Sequence, residues 1–159
     1  MSNVIVRQAF AGDRDVALVA PLFDLYRQFY NQPSDLSIAR NFIRDRLARG
    51  ESVIFIAQLG HANAHTKSVA GFIQLYPSFS SVAAHAIWIL NDLYVSSDAR
   101  RSGVARALME AARQHALSTG ARRLVLETYP ANRAARSLYE SLGYVSENPS
   151  GMSYALELP

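Results

Sequence analysis

The chain has 159 residues, half of them hydrophobic and 18% charged, with a formal net charge of +3. That is globular composition with enough chain for one full hydrophobic core, so a single domain is expected over residues 1–159. The lack of cysteine excludes disulfides, thiolate metal sites and a cysteine nucleophile, and the mild, dispersed positive charge favours an anionic ligand without arguing for nucleic acid.

No apolar run approaches the ~20 residues of a membrane span. The N-terminus has no basic segment followed by an apolar one, so no secretory leader is read and a soluble cytoplasmic protein is expected.

Val4-Ile5-Val6 opens as a short strand. Asp13 or Asp15 then caps a helical stretch reaching about Tyr30. Pro21 is expected to break it, because proline removes a helix donor, and to leave a second piece through Leu22, Leu25, Tyr26 and Phe29. Asn31-Gln32-Pro33-Ser34 is a turn. Ile38, Phe42, Ile43 and Leu47 recur at helical spacing, with Gly50 as a C-terminal stop.

Ser52 to Leu59 is a β-rich run, Gly60 to Lys67 a polar loop, and Val69 to Tyr76 a second strand ended by Pro77, which together read as a hairpin. A further strand from about Ala86 to Val95 leads into a polar turn and a helix from Gly103. That helix carries Val104, Leu108, Ala111, Ala112 and Leu117 inward and ends at Gly120. Arg123 to Thr128 is the next strand, and a strand–helix–strand unit of this length implies a parallel, right-handed crossover. Asn132 caps a helix with Ala135, Leu138, Tyr139 and Leu142 on one stripe, stopped by Gly143. Tyr144-Val145 and Met152 to Leu158 close the chain as strands. The fold class is therefore α/β with a mixed sheet, antiparallel first and parallel later.

The segment from Leu93 to Met109 carries the chemistry. It runs from strand through a turn bearing Arg100 and Arg101, past Gly103, into a helix with Arg106 in its first turn. The first N–H groups of a helix have no acceptor inside it and the dipole adds positive charge there, so the turn is a seat for phosphate or pyrophosphate. It lacks the lysine and Ser/Thr of a P-loop and two of the three glycines of a dinucleotide fingerprint.

Arg100-x-x-Gly103-x-Ala105 resembles the acyl-CoA signature of the GNAT superfamily of N-acetyltransferases, Gln/Arg-x-x-Gly-x-Gly/Ala. Downstream, Asn132-x-x-Ala135-x-x-Leu138-Tyr139-Glu140-x-x-Gly143-Tyr144 resembles that superfamily's second motif, in the right order and at a fitting distance. The two cover roughly residues 88 to 145, and the Leu90-Asn91-Asp92-Leu93-Tyr94-Val95 run resembles most the branch named after the yeast histone and polyamine acetyltransferases.

The resemblance implies the acyl-CoA N-acyltransferase fold, a mixed central sheet of six to seven strands flanked by about four helices, and acetyl transfer from acetyl-CoA to a primary amine without a metal. It implies that backbone groups of Leu93 and Val95 receive the pantetheine arm as an added strand, with Tyr94 in the same cofactor set and the Val95 N–H polarising the thioester carbonyl. It implies that Arg100, Arg101, Ser102, Gly103, Val104 and Ala105 hold the pyrophosphate. Asn132 and Ala135 belong to the same cofactor set, and Tyr139 would protonate the departing thiolate. A phenol suits that step because it stays protonated at neutral pH.

The general base is less legible. Several members of the superfamily place a carboxylate or histidine at positions matching Ile89 or Asn91, and neither side chain here accepts a proton. Asp92, which strict alternation puts on the opposite face from Asn91, Glu127 and a chain of waters remain as alternatives. Phe29, Tyr30, Tyr76, Trp88 and Tyr129 either line an acceptor pocket with Asp92 or are ordinary core and rim aromatics. A cationic acceptor would want acidic residues in the cleft, for which Asp24, Asp35, Asp92 and Glu127 are candidates. His61-x-x-x-His65 has helical metal spacing but no third ligand nearby, and reads as loop. The competing reading is a non-catalytic acyl-CoA sensor that has lost its base. The superfamily branch also implies a homodimer contact through residues 144 to 158.

Overall fold

The computed structural model describes residues 3–60 and 68–159. In chain order the elements are β1 (Asn3–Ala9), α1 (Asp13–Phe29), α2 (Leu36–Ala48), β2 (Val53–Gly60), β3 (Ser68–Ser80), β4 (His85–Val95), α3 (Val104–Ser118), β5 (Arg123–Glu127), α4 (Arg133–Ser141), β6 (Val145–Ser146) and β7 (Ser153–Glu157). The strands form one mixed sheet in the order β1-β2-β3-β4-β5-β7-β6. β1 and β2 are antiparallel, whereas β4 and β5, joined through α3, are parallel as the crossover requires. The last strand inserts between β5 and β6 and pairs antiparallel with both.

Residues group into two compact units, the first being Met1–Gln74 with Asp92–Ala111 and the second Leu75–Asn91 with Ala112–Pro159. In the first, Val16, Val19, Leu22 and Phe23 of α1 and Ala39 and Ile43 of α2 pack with Ile54 and Ile56 of β2 and Phe72 of β3. Two expectations are corrected there. α1 does not break at Pro21 but runs on to Phe29. Pro21 faces solvent while Ala20 and Leu22 on either side are buried. Water can therefore satisfy the carbonyl that proline leaves without a donor, and packing on both sides holds the helix together. α1 also starts at Gly12, with no side-chain cap. Asp15 reaches backward instead, accepting from the Phe10 N–H at 2.9 Å and from Arg7 at 2.7 and 3.1 Å.

In α2 Ala39 and Ile43 are buried, Phe42 and Leu47 pack against the same core as expected, and Ile38 is exposed. Asp35 caps that helix by accepting from the Ile38 N–H at 2.9 Å. Its C-terminal stop at Gly50, with φ +64°, is as the sequence predicts.

In the second unit, Leu124 and Leu126 of β5 lie buried beside Tyr154 and Ala155 of β7, with β5 and β7 in register from Arg123↔Glu157 to Glu127↔Ser153. Pro77 does not end β3, which continues to Ser80. It is exposed there, and proline is tolerated in a strand where its missing N–H faces no ladder partner. Asn132 caps α4 as expected, its side-chain oxygen accepting from the Ala135 N–H at 3.2 Å, and Gly143 follows with φ +89°. His61 and His65 lie outside the described residues.

Candidate active site

At the end of β4 the backbone changes partners. The Ser96 N–H donates to the Ala70 carbonyl at 2.9 Å and the Ser96 hydroxyl donates to the same oxygen at 3.1 Å. Successive residues of a strand point their N–H groups to opposite edges, so the amides of Leu93 and Val95 face away from β3. On that edge the ladder with β5 runs from Ile87↔Arg123 to Ile89↔Val125, while β4 itself continues to Val95. The end of β4 thus presents backbone that the β5 ladder does not use.

The turn that follows is strained and then released into a helix. Ser97–Ala99 is a 3-10 turn, and the Ser102 hydroxyl donates to the Ala99 carbonyl at 2.5 Å. Arg101 has φ +62° and Gly103 φ +85°, both left-handed, a conformation that disfavours side chains with a Cβ. The first helical bond of α3 is from the Ala107 N–H to the Gly103 carbonyl at 3.0 Å. The Val104 and Ala105 amides therefore have no acceptor within the helix and point out of its N-terminus. Val104 itself is buried, Ala105 is half-buried, and Arg100 and Arg101 are exposed. The Arg100 Nε lies 3.4 Å from the Val95 carbonyl oxygen.

Gly71 of β3, which sequence reasoning passed over, sits under this turn. A Cβ there would lie 2.6 Å from the Tyr94 carbonyl oxygen, 3.2 Å from Val104 Cγ1 and 3.3 Å from Leu108 Cδ1. Only glycine lets the end of β4 and the start of α3 close on β3.

Asp92 is buried, with exposed Asn91 and buried Leu90 before it, so the alternation of β4 holds. Its Oδ2 accepts from Gln74 Nε2 at 2.5 Å, and it hydrogen-bonds with the Tyr26 phenol, which in turn hydrogen-bonds with Tyr30. Burial pushes the Tyr26 phenol far above its ordinary value, and the negative charge of Asp92 adds to this. The Tyr26 and Tyr30 ring centroids are 5.0 Å apart, those of Phe29 and Tyr30 5.2 Å. The structure thus joins Phe29, Tyr30 and Asp92 through Tyr26. Tyr26 read only as part of a helix stripe. Gln74, a polar residue inside the run Gly71-Phe72-Ile73-Gln74-Leu75, was the signal that a buried polar partner existed.

The two other acidic candidates on this side are used elsewhere. Asp24 accepts from the Ser34 hydroxyl at 2.7 Å, the Asp35 N–H at 2.9 Å, Gln28 at 3.0 Å and Arg27 at 3.3 Å. It ties the end of α1 to the start of α2, where Asp35 is the cap.

In the second unit, Tyr139 is buried on α4, its ring 5.9 Å from that of Tyr154 and 6.1 Å from that of Tyr144. Ala135 is half-buried one turn before it, and Asn132 half-buried about two turns before it. Glu127 is exposed at the end of β5, opposite Ser153. Trp88 is packed edge-on against His115 at 4.8 Å and donates from Nε1 to the Thr119 hydroxyl at 2.9 Å. Tyr76 is half-buried on β3 and Tyr129 is exposed between β5 and α4. Among the described residues no group of three or more His, Cys, Asp or Glu could hold a metal ion, and no helix is long and apolar enough to cross a membrane.

Residues 19–144 match the family model described as the acetyltransferase (GNAT) family. The chain is 46% identical, over 97% of both chains, to the uncharacterized N-acetyltransferase YhfO of Bacillus subtilis. A crystal structure of a probable acetyltransferase shares 40% identity over 91% of both chains with a TM-score of 0.80. Arabidopsis thaliana NAA60 in complex with acetyl-CoA shares the fold, at 15% identity, over 98% of both chains, with a TM-score of 0.74.

Proposed function

Since the chain belongs to the acetyltransferase (GNAT) family, we propose that it moves the acetyl group of acetyl-CoA onto a primary amine by direct attack within a ternary complex. The observation that carries this reading is the left-handed turn at Arg101 and Gly103 opening α3, with the Val104 and Ala105 amides directed outward. It fits the pyrophosphate of a coenzyme A thioester, whose charge Arg100 and Arg101 would complement. The edge of β4 beyond the β5 ladder fits the pantetheine arm, with Leu93 and Val95 as the added-strand partners and Tyr94 between them in the same cofactor set.

Acetyl-CoA supplies an activated acyl carbon and a thiolate leaving group. The amine nitrogen forms its bond to the carbonyl carbon as the carbon–sulfur bond breaks. The Val95 N–H stabilises the oxyanion. Asp92 accepts the amine proton, directly or through water, with Glu127 as the alternative acceptor. Tyr139 returns a proton to sulfur. Asn132 and Ala135 complete the cofactor set, and Phe29, Tyr30, Tyr76 and Trp88 are the aromatic candidates on the acceptor side. Burial of Asp92 between a phenol and a carboxamide, with Tyr30 packed on that phenol and Phe29 on Tyr30, supports a cationic acceptor.

The Leu90–Val95 run supports placement in the branch named after the yeast histone and polyamine acetyltransferases. A cytoplasmic location, and a homodimer through residues 144–158, belong to the same reading. Exposed Val145 on the edge strand β6 supports the second of these.

Incubation with acetyl-CoA and a panel of polyamines, amino acids, aminoglycosides and peptides, following free thiol, tests the function. Amine-dependent thiol release is expected. Tight acetyl-CoA binding with no release from any amine would support the sensor reading, which the absence of a proton acceptor at Ile89 and Asn91 motivates.

A further inference from the structure

α4 has nine residues, and its orientation decides where the Tyr139 phenol points. In the second unit a hydroxyl from another element pins that orientation. Arg136 Nε donates to the Tyr154 oxygen at 2.9 Å, and the Tyr154 hydroxyl donates to Glu140 Oε1 at 2.9 Å. Arg136 and Glu140 are four residues apart on one face of α4. A single fully buried phenol on β7 therefore bridges two successive turns of the helix. Tyr139 sits between them in sequence, with its ring 5.9 Å from the ring of Tyr154. A helix rotates about 100° per residue, so fixing the Arg136–Glu140 face fixes the direction of the Tyr139 side chain.

Arg136 reaches further. Its Nη1 donates to the Pro130 carbonyl at 3.1 Å, in the turn just before the Asn132 cap. Its guanidinium lies against Gly151, where a Cβ would come within 2.9 Å of Nη2 and where φ is +66°. One side chain thus links the turn before α4, the helix itself, the turn at Gly151 and β7.

We propose that Tyr154 is a positioning residue for acetyl transfer: bridging Arg136 and Glu140, it sets the rotation of α4 at which Tyr139 meets the departing sulfur. The proposal rests on the reading of Tyr139 as the proton donor. Tyr154 touches neither substrate nor cofactor in this role, and acts only through the helix.

The test is a double-mutant cycle with steady-state kinetics, using Tyr154→Phe, Tyr139→Phe and the pair. Tyr154→Phe keeps the buried ring and removes only the bridging hydroxyl, and the Arg136 bond to Pro130 stays. On the order of a fivefold loss in kcat is expected from Tyr154→Phe, with KM for acetyl-CoA unchanged. In the Tyr139→Phe background, Tyr154→Phe should cause no further loss, because the group it positions is gone. Glu140→Gln, which keeps an acceptor for the hydroxyl, should retain more kcat than Glu140→Ala. Multiplied losses in the double variant would overturn the positioning role and leave a general structural one. So would wild-type kcat in Tyr154→Phe beside a loss in Tyr139→Phe. Wild-type kcat in Tyr139→Phe, with chemistry shown to limit the rate, would instead remove the Tyr139 reading itself.

Discussion

Gln74 Nε2 and Asp92 Oδ2 are 2.5 Å apart, two buried polar groups from neighbouring strands. The Gln74 carboxamide and the Tyr26 phenol both hydrogen-bond to this buried carboxyl group. A carboxylate held in this way keeps one orientation, which a proton acceptor or an ammonium anchor requires.

If Asp92 accepts the amine proton, activity must fall as pH drops, because a protonated carboxyl has no free pair to offer. Asp92→Asn is expected to lower kcat/KM on the order of a hundredfold and to flatten the acidic limb of the pH–rate profile. Glu127→Gln should retain both. The opposite pattern moves the base to Glu127, and a limb unchanged in both variants assigns it to water.

Gly103→Ala forces a Cβ into a left-handed conformation, though the Cβ itself would meet open space among the described residues. The strain is about 1–2 kcal/mol, and relieving it would redirect the amides that open α3. The expected result is a roughly tenfold weaker Kd for acetyl-CoA by calorimetry. Gly71→Ala tests the layer beneath. Its Cβ would meet the Tyr94 carbonyl oxygen at 2.6 Å, so a loss of about 1–3 kcal/mol in urea unfolding is expected. An unchanged midpoint would mean that β4 can shift away without penalty.

Asp24 makes folding sensitive to acid. Hydrogen bonds from Ser34 first, then from the Asp35 amide, hold its carboxyl below the ordinary range in the folded chain. The folded value is depressed, so its contribution is full above the unfolded pKa of about 3.9 and is lost as pH falls through the folded value. Asp15, held down chiefly by Arg7, behaves in the same way. Asp24→Asn should therefore destabilise the protein by on the order of 2 kcal/mol at pH 7 and by less at pH 3, below the unfolded pKa. Equal losses at the two pH values in urea titrations would show that charge is not the cause.

Much of the candidate site was legible before the structure because its signals are local. The glycine that admits a left-handed φ at 103, the Asn132 cap and the Gly143 stop each act within a few residues, and the cofactor turn lies within one short segment. The break expected at Pro21 failed because a proline is a local signal only until flanking residues are buried. Packing of Ala20 and Leu22 outweighed it.

The sequence by itself determined the order of elements, the parallel crossover around α3, and the residues of the two motifs. These depend on backbone conformation and capping, which short-range sterics and hydrogen bonds dictate. Tertiary structure alone decided that Gln74 meets Asp92 from 18 residues away, and that Tyr154 spans Arg136 and Glu140. It also decided that Gly71 must be bare because α3 and β4 converge on it. Such pairings arise where strands and helices pack, and side chains of the same type read identically in sequence whether they face solvent or one another.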